Sequence, residues 1–268
     1  MYLCEVNDSS FIFRPAKPLQ CAQRNVIVGR MLQAWLEIGA GLVFPPLCEL
    51  CERPVLRNSS GGVCASCRES IRLIEAPFCP HCGRTVYPTA FLCGSCKEET
   101  FYFDRAYACA WYEGPVKELL HAYKFHGRRP LQNYFADLLK NFISANLDPG
   151  QFDGVLSVPL DARKKRDRGF NQSGLLSRRI ALALNKNEWS SSLYRTQAET
   201  PQARLTKAER RKNVLGCFGV KEDGRLKGRR LLLIDDILTT GQTASECARV
   251  LKKAGAAAVT VLACARGQ

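Results

Sequence analysis

The 268-residue sequence contains no stretch that reads as a membrane span and no recognisable secretion leader. Its N-terminal apolar stretch, Val26 to Leu47, carries Arg30, Gln33 and Glu37 at the three- and four-residue steps of one helix face, so an amphipathic helix is expected there. Met1 to Gln20 lacks a basic start, an apolar block and a small-residue cleavage site, which makes the cytoplasm the expected compartment. Neither GxGxxG nor GxxxxGKS/T occurs, and this removes the dinucleotide-binding and Walker-type readings. Acidic residues are scarce: 25 Asp+Glu face 39 Lys+Arg, a formal net charge of +14 that points to anionic partners. With 46% hydrophobic and 24% charged residues, disordered and collagen-like chains are excluded too.

Cysteine, by contrast, is abundant, with 14 in the chain. Eight of them form four CxxC pairs, Cys48/Cys51, Cys64/Cys67, Cys79/Cys82 and Cys93/Cys96, separated by twelve, eleven and ten residues. Two CxxC turns can aim four sulfurs at one tetrahedral Zn2+, so four turns predict two structural zinc ions. Disulfides are the rival reading, disfavoured in a reducing compartment. Sequential pairing gives tandem zinc ribbons, and a RING-like cross-brace would pair first with third and second with fourth; ribbons are expected. His81, inside the third turn, reads as a solvent-facing spacer because four sulfurs already fill the shell. A closed Cys4 site leaves no position for substrate, so its default role is to fold a segment too small to hold a core alone. Residues 1–104 hold ten Lys/Arg and ten Asp/Glu, so charge gives the ribbons no preference for nucleic acid. Of the other cysteines, several sit in apolar surroundings and read as small hydrophobes.

From Arg105 the pattern alternates strands and helices. Strands are expected at Ala106–Tyr112, Gly154–Pro159, Arg230–Asp235 and Ala258–Ala263, and helices at Pro115–Phe125, Leu131–Ala145, Gln172–Leu184 and Ala244–Ala254. This is an α/β domain with a mostly parallel sheet and flanking helices. Ligands of such sheets bind beyond the carboxyl ends of the strands, which singles out Leu231 to Thr243. Four aliphatic residues lead to the carboxylates of Asp235 and Asp236, and the turn Thr239-Thr240-Gly241-Gln242-Thr243 opens a helix. Backbone N–H groups and hydroxyls there can wrap a phosphate, and the adjacent carboxylates suit a ribose diol. The bland alternative is a strand end with a capped helix.

Residues 231–243 resemble the 5-phosphoribosyl-1-pyrophosphate (PRPP) motif of type I phosphoribosyltransferases. The CxxC-rich N-terminal part, Tyr112-Glu113-Gly114, Tyr123-Lys124-Phe125, Arg168-Gly169-Phe170-Asn171-Gln172, Thr200-Pro201-Gln202 and Arg210-Arg211-Lys212-Asn213-Val214 narrow the likeness to the ComF family, including its GntX-type members, which is linked to DNA uptake in natural competence. The resemblance runs from about Leu42 to the C-terminus. It implies a type I phosphoribosyltransferase-like domain at 105–268 and a double zinc ribbon at 46–104; the amphipathic helix at 26–45 rests on its own periodicity, and residues 1–25 lie outside the pattern, as an extension or a misassigned start. It also implies Mg2+-dependent transfer from PRPP with release of pyrophosphate, with Asp235 and Asp236 as candidate catalytic residues on the ribose hydroxyls and Thr239, Thr240, Gly241, Gln242 and Thr243 on the 5′-phosphate. Pyrophosphate falls to the segment after Pro159, where Arg163, Lys164 and Arg168 are the cations, and Thr196–Cys217 falls where a lid would lie.

The stretches Asp161–Arg179 and Arg204–Arg230 contribute +5 and +7 to the net charge, more than PRPP with Mg2+ needs. The surplus suggests a larger polyanion such as single-stranded DNA, although a solvated basic loop is the plain alternative for Arg163–Arg168; the DNA-uptake machinery as a partner is what the resemblance implies. Phe170 reads as the first core residue of the next helix rather than a base-stacking platform, His121 and His126 as partly exposed non-ligands, and Trp35 as helix core. Three functions compete: a phosphoribosyltransferase, an accessory protein that binds single-stranded DNA, and a PRPP-sensing regulator without chemistry.

Overall fold

Short aliphatic runs bounded by turns become buried parallel strands, because helical connections cover both faces of the sheet they build. The computed structural model describes residues 46–55, 60–87, 92–196, 214–221 and 224–267. The expected extension at 1–25, the helix at 26–45 with Trp35, and residues 197–213 of the expected lid lie outside the described residues. Residues Leu47–Gln268 form one unit, in which the cysteine-rich segment packs directly on the sheet.

In chain order, the cysteine-rich segment carries two single-turn helices, α1 (Ala65–Glu69) and α2 (Gly94–Glu98). The sheet domain then runs β1 (Arg105–Trp111), α3 (Gly114–Phe125), α4 (Leu131–Asn146), β2 (Gly154–Ser157), α5 (Ala162–Arg168) and α6 (Gln172–Ala183). It continues with β3 (Asn187–Glu188), β4 (Leu193–Arg195), β5 (Phe218–Val220), β6 (Arg230–Leu238), α7 (Gln242–Lys253) and β7 (Ala258–Arg266). The main sheet has the order β1-β7-β6-β2-β3, with every neighbouring pair parallel, while β4 and β5 form a separate antiparallel pair.

The period of two along β6 divides the core. Leu232 and Ile234 meet Leu119 and Tyr123 of α3, Phe135 and Leu139 of α4, and Leu176 and Ile180 of α6. Leu231 and Leu233 face Cys247, Ala248 and Leu251 of α7 on the other side. Cys109, Cys217, Cys247 and Cys264 are buried in these two clusters or beside them, as small hydrophobes.

Several strand ends and one loop differ from expectation. Strand β6 continues beyond Asp235 to Leu238, because β7 runs alongside it to Arg266 and pairs Leu238 with Arg266. On the other side β2 stops at Ser157, opposite Ile234. The two aspartates therefore sit where β6 has lost one neighbour and kept the other. Arg163–Arg168, for which a solvated loop is the plain reading, belong to helix α5, because the carboxylate of Asp161 accepts the backbone N–H groups of Arg163 at 2.9 Å and Lys164 at 3.3 Å. Gly169, at φ 77°, ends it in the left-handed conformation.

Candidate functional site

Each CxxC pair folds as a tight turn, and the structure gathers the eight sulfurs sequentially into two groups, Cys48–Cys51–Cys64–Cys67 and Cys79–Cys82–Cys93–Cys96. Within each group all four Sγ atoms lie within 4.8 Å of one another. Cys51 and Cys64 approach to 3.6 Å, and Cys82 and Cys93 to 3.4 Å. A tetrahedron of sulfurs about 2.3 Å from Zn2+ has edges of roughly 3.8 Å, so both groups fit that ion. The backbone N–H and guanidinium of Arg53 lower the Cys51 thiol to about 6, whereas burial and the neighbouring sulfurs push Cys67 of the same group up to about 12. Such closed sites supply fold and charge, with no coordination position left for substrate.

His81 is not the solvent-facing spacer the sequence suggests. Its ring is half-buried, hydrogen-bonded through Nε2 to the Phe103 carbonyl at 2.9 Å and packed on Phe101 and Phe103 at 5.8 and 5.3 Å. It stays outside the four-sulfur group.

At the carboxyl edge of the sheet, Asp235 is buried and Asp236 half-buried. The Asp235 carboxylate accepts the Ser173 hydroxyl at 3.2 Å and the Asp236 backbone N–H at 2.9 Å. Burial, reinforced by the neighbouring Asp236 charge, raises Asp235 to about 7; the Asp236 backbone N–H, Lys124 and Ser173 oppose the shift. Asp236 pairs with the Lys124 ammonium at 2.9 Å, with only 13% and 14% of the two side chains exposed. Lys124 lies in the Tyr123-Lys124-Phe125 motif and Ser173 just beyond the Arg168-to-Gln172 motif, and neither motif by itself gives them a role at the site. Signals for both are faint in sequence: a lone cation at a helix end, and a serine in the first turn of α6.

Beyond β6 the chain turns at Thr239 and Thr240 and enters α7 through Gly241, which adopts φ 83°. A Cβ there would lie 3.3 Å from Phe101 Cε1, so both conformation and space favour glycine. Thr239 is exposed, Thr240, Gln242 and Thr243 are half-buried, and Gln242 Nε2 donates to Glu99 at 3.0 Å. The turn thus presents backbone N–H groups at the start of a twelve-residue helix.

Helix α5 follows β2, whose end lies beside Ile234 of β6, so its cations share the sheet edge with the aspartates. Arg163, Lys164, Lys165 and Arg166 are exposed, whereas Arg168 lies over the Phe125 ring at 4.6 Å. The remainder of the Arg168-to-Gln172 motif is structural. Phe170 is buried against Tyr123 at 5.6 Å, Asn171 Nδ2 donates to the Val158 carbonyl at 3.1 Å, and the Gln172 carbonyl accepts the Tyr123 hydroxyl at 3.2 Å. His121 and His126 are exposed near the end of α3 and belong to neither sulfur group. Among the described residues, no helix is long and apolar enough to cross a membrane.

Residues 40–97 match the family described as double zinc ribbon domain. The chain is 33% identical over 223 residues to the DNA utilization protein YhgH of Escherichia coli (strain K12), a match covering 82% of this chain and 96% of that protein. It is 30% identical over 203 residues to the competence protein ComFC of Bacillus subtilis (strain 168), covering 73% and 80%. Among solved structures, the glutamine PRPP amidotransferase of B. subtilis, complexed with ADP and GMP, is similar over 49% of this chain and 26% of its own length, with 20% identity and a TM-score of 0.35. That similarity is distant.

Proposed function

We propose, for a chain that belongs to the ComF family of competence and DNA utilization proteins, that the carboxyl edge of its parallel sheet binds PRPP with Mg2+ and supports phosphoribosyl transfer. Asp235 and Asp236 take the ribose hydroxyls, and the Thr239–Thr243 turn takes the 5′-phosphate through backbone N–H groups and hydroxyls. Arg163 and Lys164, with Arg168 behind them, face the pyrophosphate. Mg2+ brought in with PRPP would supply part of the charge neutralisation that the departing pyrophosphate needs, alongside the cations of Arg163 and Lys164. The protein contributes position and electrostatics: it holds C1 open to a nitrogen acceptor and keeps the leaving group among cations. In this reading the two Cys4 groups hold structural Zn2+.

The observation that carries the proposal is the carboxylate pair of buried Asp235 and half-buried Asp236, braced by Ser173 and Lys124, three residues before the turn that enters α7 through Gly241. Two adjacent carboxylates at a sheet edge, one of them buried, are costly to fold, and a ligand rich in hydroxyls accounts for them. Thermal unfolding of the zinc-loaded protein tests it. PRPP and Mg2+ at a hundred times the dissociation constant should add about 2.7 kcal/mol, raising the midpoint by roughly 5–10 °C. Replacing both Thr239 and Thr240 by Val should remove most of that rise. No rise in the wild-type protein, or the same rise in the variant, overturns the assignment.

A second reading has its own observation. The exposed cations of α5 exceed what a pyrophosphate requires, which favours single-stranded DNA along the same edge, with PRPP acting as substrate or as a signal.

A further inference from the structure

The two sulfur groups differ in what they touch. Around the first, Gly61 packs under Tyr134 of α4, Glu49 pairs with Arg128 at 3.3 Å, and Val63 joins the core on the α3–α4 side. The second group lies against the turn that follows β6. Its member Cys82 offers its carbonyl to the guanidinium of Arg266, the last residue of β7 and the cross-strand partner of Leu238. His81 packs on Phe101 and Phe103, which stack at 5.0 Å, and Phe101 in turn abuts Gly241. Three residues after Cys96, Glu99 accepts the side-chain amide of Gln242, and the backbone N–H of Tyr102 donates to the Ser245 hydroxyl at 3.0 Å.

Charge completes the picture. Arg266 is 3% exposed, forms no ion pair with a carboxylate among the described residues, and its Nε meets no acceptor there. A guanidinium is always charged, and a buried one without an anion is strongly disfavoured. The sulfurs of Cys82, Cys93 and Cys96 surround it, with the Arg84 guanidinium as a second cation and the Glu99 carboxylate lining the same pocket; the sulfurs carry their negative charge once they bind metal. Four thiolates on Zn2+ leave an excess of two negative charges, so the filled centre supplies the counter-charge that Arg266 otherwise lacks.

We propose that the second Cys4 centre, coupled through Arg266 and the Phe101–Phe103 stack, braces the turn at residues 239–243, and that the first centre does not. The second zinc is then a positioning element for whatever anion the turn binds, while the first serves only its own ribbon and the α4 side of the core. The geometry of the brace stands by itself; its link to PRPP rests on the function proposed above.

Hydrogen exchange across residues 238–246, measured with bound zinc on the full-length protein, separates the two claims. Cys93→Ser should lose one zinc and lose protection in this segment, whereas Cys64→Ser should lose one zinc and leave the segment unchanged. Arg266→Gln should hold one of its two zincs about tenfold more weakly, as expected for a group that supports ligands from behind. Phe101→Leu should keep both zincs and still lose protection at 238–246. If Cys93→Ser unfolds the whole chain, Arg266→Gln and Phe101→Leu decide. Unchanged exchange in Phe101→Leu, equal loosening in Cys64→Ser, or undiminished zinc affinity in Arg266→Gln overturns the brace. Failure of the wild-type protein to bind PRPP in parallel calorimetry overturns the PRPP assignment and leaves the exchange result standing.

Discussion

Asp235 should cost the protein stability at neutral pH, and replacing it by Asn should return that stability. Its carboxyl rises from 3.8 to about 7 on folding because it is buried beside Asp236. Between those values the native state holds a proton that the unfolded chain has released, so stability falls as pH rises from about 4 to 7 and then levels off. A shift of this size corresponds to at most about 4 kcal/mol once the carboxyl is fully ionised, at about 1.4 kcal/mol per pH unit. Asn keeps the shape and can still accept from Ser173 and the Asp236 N–H, but carries no charge to desolvate. The assay is urea unfolding of zinc-replete wild-type protein and Asp235→Asn between pH 6 and 8.5, where the Cys4 centres keep their metal. The variant should be more stable throughout, and its advantage should widen by about 1 kcal/mol across the window. A variant that is less stable at pH 8.5, or an advantage that does not change with pH, would refute the reasoning.

Lys124→Met should destabilise the protein by about 3 kcal/mol, because it strands a half-buried Asp236; adding Asp236→Asn should recover most of that loss in the same unfolding assay. Elemental analysis should find two zinc ions per chain, and strong chelation should unfold the segment around residues 48–96; no metal together with an unchanged fold would contradict the Cys4 assignment. Replacing Arg163, Lys164, Lys165 and Arg166 by Gln should weaken single-stranded DNA binding for all sequences and flatten its salt dependence by a slope of about 3. Negligible DNA binding by the wild-type protein near physiological salt removes the nucleic-acid reading.

What could be read from sequence follows the range of each interaction. The CxxC turns are local, and their spacing alone favoured the sequential grouping that the structure shows. The alternation along β6 is local too, so the parallel sheet and the edge carrying Asp235 and Asp236 were visible before any coordinates. Strand ends were not, since Leu238 is strand only because Arg266 pairs with it from a distant part of the chain. The same distance hid the Lys124–Asp236 pair, which joins α3 to β6 across a parallel sheet. His81 read as a spacer because nothing near it in sequence indicates that Phe101 and Phe103 fold back onto its ring. Helix α5 was legible in principle: Asp161 stands two residues before Arg163 as an N-cap, a signal masked by the density of positive charge that follows.

Isothermal calorimetry with PRPP and Mg2+ on the zinc-loaded chain, wild type beside the Asp235→Asn/Asp236→Asn double variant, tests the central claim most directly. Two hydrogen bonds to charged groups are worth roughly 3–6 kcal/mol together, so the double variant should bind at least about a hundredfold more weakly. It should keep its fold and both zinc ions while doing so. Equal affinity in the two proteins, or no heat from the wild type at millimolar PRPP, would contradict the account.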